Sequence, residues 1–374
     1  MSANYRKLGE IVKLVDERNK DEKVQTLIGV SIEKCFIKSV ANTIGTDLSK
    51  YQIIRKNDFA CSLMQVSRDG KIPIACLKDY DEAIMSPAYY IFRIKNTDEV
   101  LPDYLSMWFM RSEFDREAAY IAVGGVRGSM PWEDFCNMEL PIPDLKEQEK
   151  IVNTYNAITK RIQLKQKINE NLSNQLSCLY EIQCSKKESE NWKDIALDDI
   201  IENKRNNVKV ENIPNNSIYV GLEHIPRKSI VLNSHGNSEE VLSDKLKAAK
   251  GDIIFGKIRP YFHKVSVNPY DEIYCSSDAL VFNSKQKELY GFVLLTVFSE
   301  KFVNYAIKLS NGAKMPRAEW KDLKNYSVRV PDTQTLNNLN EVVNKSLEYI
   351  YSNLGEIAKL QKLKQLVISQ ISSI

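Results

Sequence analysis

The chain has 374 residues, 43% hydrophobic and 27% charged, enough apolar material for two or three folded domains and too much for a disordered chain. A formal net charge of +3 is compatible with a nucleic-acid partner but does not argue for one. Seven scattered cysteines without a Cys-x-x-Cys pair, a polar opening MSANYRKLGE and no apolar run long enough to span a bilayer point to a reducing cytoplasm and away from a membrane.

Residues 1–144 read as a first globular head. Lys56-Asn57-Asp58-Phe59 is a turn feeding an apolar strand, and Ala88 to Ile94 is a second strand followed by a helix from about Pro102 to Ala119. The glycine loop Gly124-Gly125-Val126-Arg127-Gly128-Ser129 then leads through Met130-Pro131-Trp132 to a short strand ending at Pro143-Asp144. From Leu145 to about Ile182 there is neither Pro nor Gly. Apolar residues fall at Ile151, Tyr155, Ile158 and Ile162, then the stripe slips and resumes through Leu164, Ile168, Leu172, Leu176 and Leu179. The spacing predicts one helix over 145–184, roughly 55 Å long, whose coiled-coil seam has one phase shift.

Residues 185–332 repeat the first head in the same order. Tyr5-Arg6-Lys7-Leu8 is answered by Trp192-Lys193-Asp194-Ile195, Lys56-Asn57-Asp58-Phe59 by Lys250-Gly251-Asp252-Ile253, and Tyr80-Asp81-Glu82 with Ser86 by Tyr270-Asp271-Glu272 with Ser276. Gly125-Val126-Arg127 pairs with Gly312-Ala313-Lys314, and Met130-Pro131 with Met315-Pro316, which leaves three extra residues before Trp320 in the second copy. Residues 333–374 close the chain with a second long stripe, Leu339, Val343, Leu347, Ile350, Leu354 and Ile357, slipping to Leu360, Leu363 and Val367. Each stripe needs an apolar partner, and the simplest is the other one. The expected fold is therefore α+β: two similar globular domains joined by two long helices in an antiparallel coiled coil, with a pseudo-twofold internal repeat. Two long helices packed on separate cores are the alternative.

Most catalytic constellations fail on spacing. Only His224, His235 and His263 are present, none at ligand spacing with a cysteine, so no metal site is expected. Neither Pro143-Asp144 nor Pro331-Asp332 is followed by the Glu-x-Lys or Asp-x-Lys of a metal-dependent nuclease. Asn268-Pro269-Tyr270 lacks the second proline of an adenine-methylating loop and reads as a turn, and Gly124 to Ser129 lacks the Gly-Lys-Ser/Thr ending of a phosphate-cradling loop. No catalytic residue and no cofactor is expected. Basic and aromatic interleaving is more informative. Lys257, Arg259, Tyr261 and His263 alternate as if on one face of an extended segment, with Lys204, Arg205 and Asn206 close in sequence; Lys34 and Arg55 are candidates in the first head, where Lys38, Arg68 and Lys71 add dispersed charge. Arg127 and Lys314, at the same place in the repeat, are assigned to phosphate. At any one of these positions a solvated face is the plain alternative.

With two heads, two long helices and the passage GGVRGSMPWEDFCNMELPIPDLKEQEKI, the sequence resembles the specificity subunit of type I restriction-modification enzymes. Its second copy before Pro331 and the segment Gly251-Asp-Ile-Ile-Phe-Gly-Lys-Ile-Arg-Pro260 carry the same resemblance. The second copy departs where Thr333-Gln-Thr-Leu-Asn stands in place of Leu145-Lys-Glu-Gln-Glu. The resemblance implies a non-catalytic subunit in which each head reads half of a split, asymmetric site in double-stranded DNA and the helices set the unread spacer. It also implies methyltransferase subunits as partners, two of them, and restriction subunits carrying motor and nuclease in the full complex. A coiled-coil adaptor whose heads bind proteins has the same outline, and a self-sufficient methyltransferase is opposed by the missing cofactor loop.

Overall fold

The structure is a computed structural model and describes residues 4–39, 46–64, 66–124, 128–185 and 192–371. The chain forms two compact units, one of Met1–Arg161 with Leu360–Ile374 and the other of Ile162–Lys359. Two long helices, α1 (Leu145–Tyr180) and α2 (Thr333–Gln370), each contribute to both.

In the first unit an antiparallel four-stranded sheet runs in the order Val12–Leu14, Tyr90–Ile94, Phe59–Cys61, Ile74–Cys76. Its third strand alternates between two cores. Phe59 and Cys61 face the helices Pro102–Phe109 and Ser112–Ile121, whereas Ala60 faces Ile54, Ala83 and Ile91. The second unit repeats the order with Ile201–Lys204, Ala279–Ser284, Ile253–Gly256 and Val265–Val267. Ile253 and Phe255 face the helical side, and Ile254 the other core.

The turn before each third strand is built alike. Asn57 has φ 68° and donates to Leu77 O at 2.9 Å; Gly251 has φ 82° and donates to Asn268 O at 2.9 Å. The next residue in each copy is a buried aspartate, which accepts from the backbone three residues earlier, Arg55 N at 3.0 Å or Ala249 N at 2.9 Å. Asp58 also holds the Arg93 guanidinium through two bonds of 2.8 Å, and Asp252 holds Lys204 at 2.7 Å and Asn283 at 2.5 Å. Asn268 is fully buried, and its amide ties Ala248 O and Tyr270 O, so Asn268-Pro269-Tyr270 is a structural turn.

From the domain helices onward the two copies keep one register. Ser112 and Glu300, Trp132 and Trp320, Glu139 and Ser327, and the first residues of α1 and α2 all differ by 188 (300 − 112). Met130 N–H donates to Leu63 O and Ala318 N–H to Lys257 O, both at 2.9 Å; the donors keep that offset, while the acceptors, on the earlier hairpins, differ by 194 (257 − 63). The three extra residues inferred from Met315-Pro316 are therefore not an insertion. By count Lys314 falls opposite Val126 rather than Arg127, so the shared cation position is lost.

Each long helix starts at a Pro-Asp pair because the aspartate caps it: Asp144 accepts from Glu147 N and Asp332 from Thr335 N, both at 2.9 Å. Gln148, with no exposed surface, anchors α1 by accepting from Leu101 N at 2.9 Å and donating to Glu99 O and Pro143 O at 2.8 Å. The seams do not jump to Leu164 or Leu363 as the apolar residues suggest, but drift by one extra step of four, at Lys165, Asn169 and Ser173 on α1 and at Leu360, Lys364 and Ile368 on α2. On α1 the buried line continues from Ile162 through Lys165, Asn169, Ser173 and Leu176, leaving Leu164 52% and Ile168 38% exposed. On α2 it continues from Ile357 through Leu360, Lys364 and Ile368, leaving Leu363 46% exposed. The apparent jump arose because polar residues occupy seam positions. Within the second unit the helices pair antiparallel: Lys165 meets Glu356 at 2.7 Å, and the buried Asn353 amide donates to Asn169 Oδ1 at 2.8 Å and accepts from Lys165 at 2.9 Å. Within the first unit the Lys364 ammonium lies 4.7 Å from the Tyr155 ring centroid, and Ile368 and Ile371 complete the core around Val152.

Candidate nucleic-acid interface

In each unit the hairpin connecting the last two strands of the four-stranded sheet meets the loop that follows the domain helices. In the second unit these are Lys257–Lys264 and Asn311–Glu319. The hairpin is not extended. Pro260 opens a 3-10 turn, Pro260–Phe262, flanked by Arg259 and His263, both at φ 49° in the left-handed region that non-glycine residues seldom occupy. The alternating face predicted for Lys257, Arg259, Tyr261 and His263 is thereby broken up. His263 turns inward, 4% exposed, with Nε2 bonded to Phe298 O at 2.8 Å. Burial holds its imidazole below the usual pKa, partly offset by the Phe298 carbonyl and by Glu300, whose carboxylate lies 3.5 Å from Nδ1.

The second loop is closed by reciprocal backbone bonds between Asn311 and Arg317, at 3.0 and 2.9 Å. Gly312 sits at φ 117°, where a Cβ would come within 3.1 Å of Met315 O, so the tight return requires glycine. Arg259 fastens the two loops together: its N–H donates to Pro316 O at 2.8 Å and its guanidinium to Lys314 O at 3.3 Å. Residues 55 positions apart in sequence thus form one braced surface. Lys257 is largely covered, 3.9 Å from Glu319; Lys314 is exposed; and Arg317 lies beside Asp278 at 3.4 Å. Tyr261 is 50% exposed and packs edge-on against Phe262, whose ring carries the Arg227 guanidinium 4.0 Å from its centroid.

In the first unit the matching hairpin is closed by Ser62 N–H donating to Pro73 O at 2.9 Å, and its loop partner is Gly128–Met130. Gly128, at φ 74°, leaves no room for a Cβ, which would lie 2.3 Å from Ser67 Oγ. Arg68 and Lys71 are exposed on this hairpin, Arg68 beside Asp69 at 2.8 Å. Arg127 lies outside the described residues.

The remaining predicted residues do not join these surfaces. Lys34 is committed inward, bonded to Asp115 at 2.8 Å and to Phe109 O, with both side chains only 10% exposed. Lys204 is committed to buried Asp252. Arg55 is bracketed by Glu17 at 2.5 Å and Glu82 at 2.7 Å. Arg205 and Asn206 are exposed at the end of strand Ile201–Lys204. Arg227, Asp278 and Arg317 were missed by sequence reasoning; the placement of Arg317 directly after Met315-Pro316 was the available signal. Among the described residues no group of three or more His, Cys, Asp and Glu is arranged to hold a metal, and no helix is long and apolar enough to cross a membrane.

The model of the type I restriction modification DNA specificity domain matches this chain twice, over residues 4–174 and 189–366. The specificity subunit of the type I restriction enzyme MjaVIII from Methanocaldococcus jannaschii is 27% identical over 148 residues, 38% of this chain and 34% of that protein. The MjaIX specificity subunit of the same organism is 22% identical over 324 residues, 78% of this chain and 69% of its own length. The chain thus aligns with about a third of the first relative and just over two thirds of the second. The S subunit of a type I restriction-modification system from M. genitalium, 13% identical, shares the fold with a TM-score of 0.56, covering 100% of this chain and 96% of that one. Through both of its halves, the chain belongs to the type I restriction modification DNA specificity domain family.

Proposed function

We propose that the chain is the non-catalytic DNA specificity subunit of a type I restriction-modification complex, in which each unit reads one half of a split, asymmetric site in double-stranded DNA. The observation that supports this reading is the braced pair of loops found at the same place in both units, carrying Lys257, Tyr261, Lys314 and Arg317 in one and Arg68 and Lys71 in the other. Cations and an aromatic ring on adjoining rigid loops suit phosphate contact combined with contact to bases. Lys34 and Lys204 leave the proposed set because their charges are spent on buried carboxylates, and Arg259 becomes the brace of the interface rather than a reader. Arg55 is held between two glutamates and is set aside; Arg205 and Asn206 stay as flanking contacts.

The recognition domains are taken as residues 1–144 and 185–332, with the helices 145–184 and 333–374 setting the unread spacer. Two methyltransferase subunits and the restriction subunits complete the assembly, in the cytoplasm. Mapping methylated adenines in the source genome with and without this gene tests the reading. A bipartite motif should vanish with the gene; an unchanged methylome would leave a protein-binding adaptor as the better account.

A further inference from the structure

Tyr261 stands out among the interface residues, and the inference that follows rests on the proposed DNA-reading role. Its ring is half exposed at the tip of a turn that has little freedom to move. Pro260 is buried and fixes its own φ, and Arg259 and His263 on either side both hold the left-handed conformation. Each flank is tied down: Arg259 through Pro316 O and Lys314 O, His263 through Phe298 O and through Lys228 N–H, which donates to His263 O at 2.9 Å. Behind the ring, Phe262 lies 4.7 Å away and is itself backed by Arg227. Two strained residues and a cation-backed ring thus hold a single aromatic in place. Lys257, Lys314 and Arg317 are carried by the same two loops that Arg259 joins.

We propose that Tyr261 reads its half-site as a wedge: the ring enters a base-pair step and partly unstacks it, so that the second unit selects a deformable step, of the pyrimidine–purine type, instead of a hydrogen-bonding edge. A rigid mount suits this role, because a ring that has to be ordered on binding would return part of the stacking gain as lost conformational freedom. The basic residues of the two loops hold the backbone while the step opens.

The test uses the full chain assembled with its modification subunits and duplexes in which 2-aminopurine replaces one base at a time across the half-site read by the second unit. With the unaltered chain and with Tyr261→Phe, one position should brighten on binding in addition to any base extruded for methylation, and the methylated motif should be retained. Tyr261→Ala should leave that position dark and weaken binding roughly ten- to a hundredfold. Lys257→Ala should weaken binding but keep the bright position, which separates loss of the wedge from general damage to the loop. The wedge is excluded if Tyr261→Phe fails as Tyr261→Ala does, since the hydroxyl is then the reader. It is equally excluded if Tyr261→Ala keeps its affinity, or if every bright position persists in it, as a base extruded for methylation would. Failure of the unaltered complex to bind any duplex would instead overturn the recognition role itself.

Discussion

Lys314 and Arg317 sit on a loop closed at its base by two backbone bonds and fastened to the hairpin by Arg259, so truncating either side chain should leave the fold intact. Each change to Ala should lower affinity about equally for all sequences and reduce the slope of log affinity against log salt by roughly one, through counterion release. A changed motif with an unchanged slope would move that residue from phosphate to base. On the hairpin itself, buried His263 makes the Tyr261 turn sensitive to acid. Burial resists its protonation in the folded state, while the unfolded chain takes up a proton near the ordinary value of 6.5. Its stability contribution is therefore complete above about pH 6.5 and lost as pH falls below it. Glu300 opposes this only in part, and its own carboxyl is held below the usual range, chiefly by Lys228, so its loss belongs to a more acidic window. The Tm of the native chain should fall between about pH 7 and 5.5, and His263→Gln should flatten that fall. Parallel curves for the two proteins would show that another group is responsible.

At the level of elements, the cluster of buried Asn169 and Asn353 with partly exposed Lys165 and Glu356 gives up apolar contact in the seam for a defined alignment. Asn169→Ala strands the Asn353 amide and should cost about 1–3 kcal/mol in thermal or denaturant unfolding. Replacing Lys165, Asn169 and Asn353 together by Leu should raise Tm but broaden the unfolding transition, because nothing then selects one register over its neighbours. A sharp, stabilised transition would deny the cluster that role. This cluster also marks the limit of reading the sequence. The repeat, the helices and their Pro-Asp starts were legible, since apolar periodicity and capping chemistry are local properties. Counting only apolar residues, however, pulled the seam toward Leu164 and Leu363, because a polar pair is a good seam element only when its partner on the other helix is known. The direction of a charged side chain was equally hidden. Lys34 and Lys204 look like solvated cations until Asp115 and Asp252 arrive beside them from distant segments. The Lys257–His263 face failed for a local reason, the turn that Pro260 imposes, which residue alternation does not register.

For the whole molecule, the proposed ruler can be lengthened only if both helices change, because four residues added to α1 alone would carry Asn169 away from Asn353. Four residues inserted after Asn169 and four after Ser352, which keep the Lys165, Asn169, Asn353 and Glu356 cluster together on one side of the added turn, should add about 6 Å of rise, with a rotation of about 40°. The methylated motif should then keep both half-sites and change its spacer; an unaltered spacer at full methylation would mean that the helices do not measure it. One contact in this seam also says something about descent. Lys165 and Asn353 hold the same place in the two copies, 188 residues apart (353 − 165), and they are bonded to each other. Two descendants of the first half would set ammonium against ammonium there, whereas two of the second would set amide against amide, which can bond. The lysine therefore suits a partner drawn from the second half and disfavours pairing between two copies of the first, so the two halves are complementary rather than interchangeable.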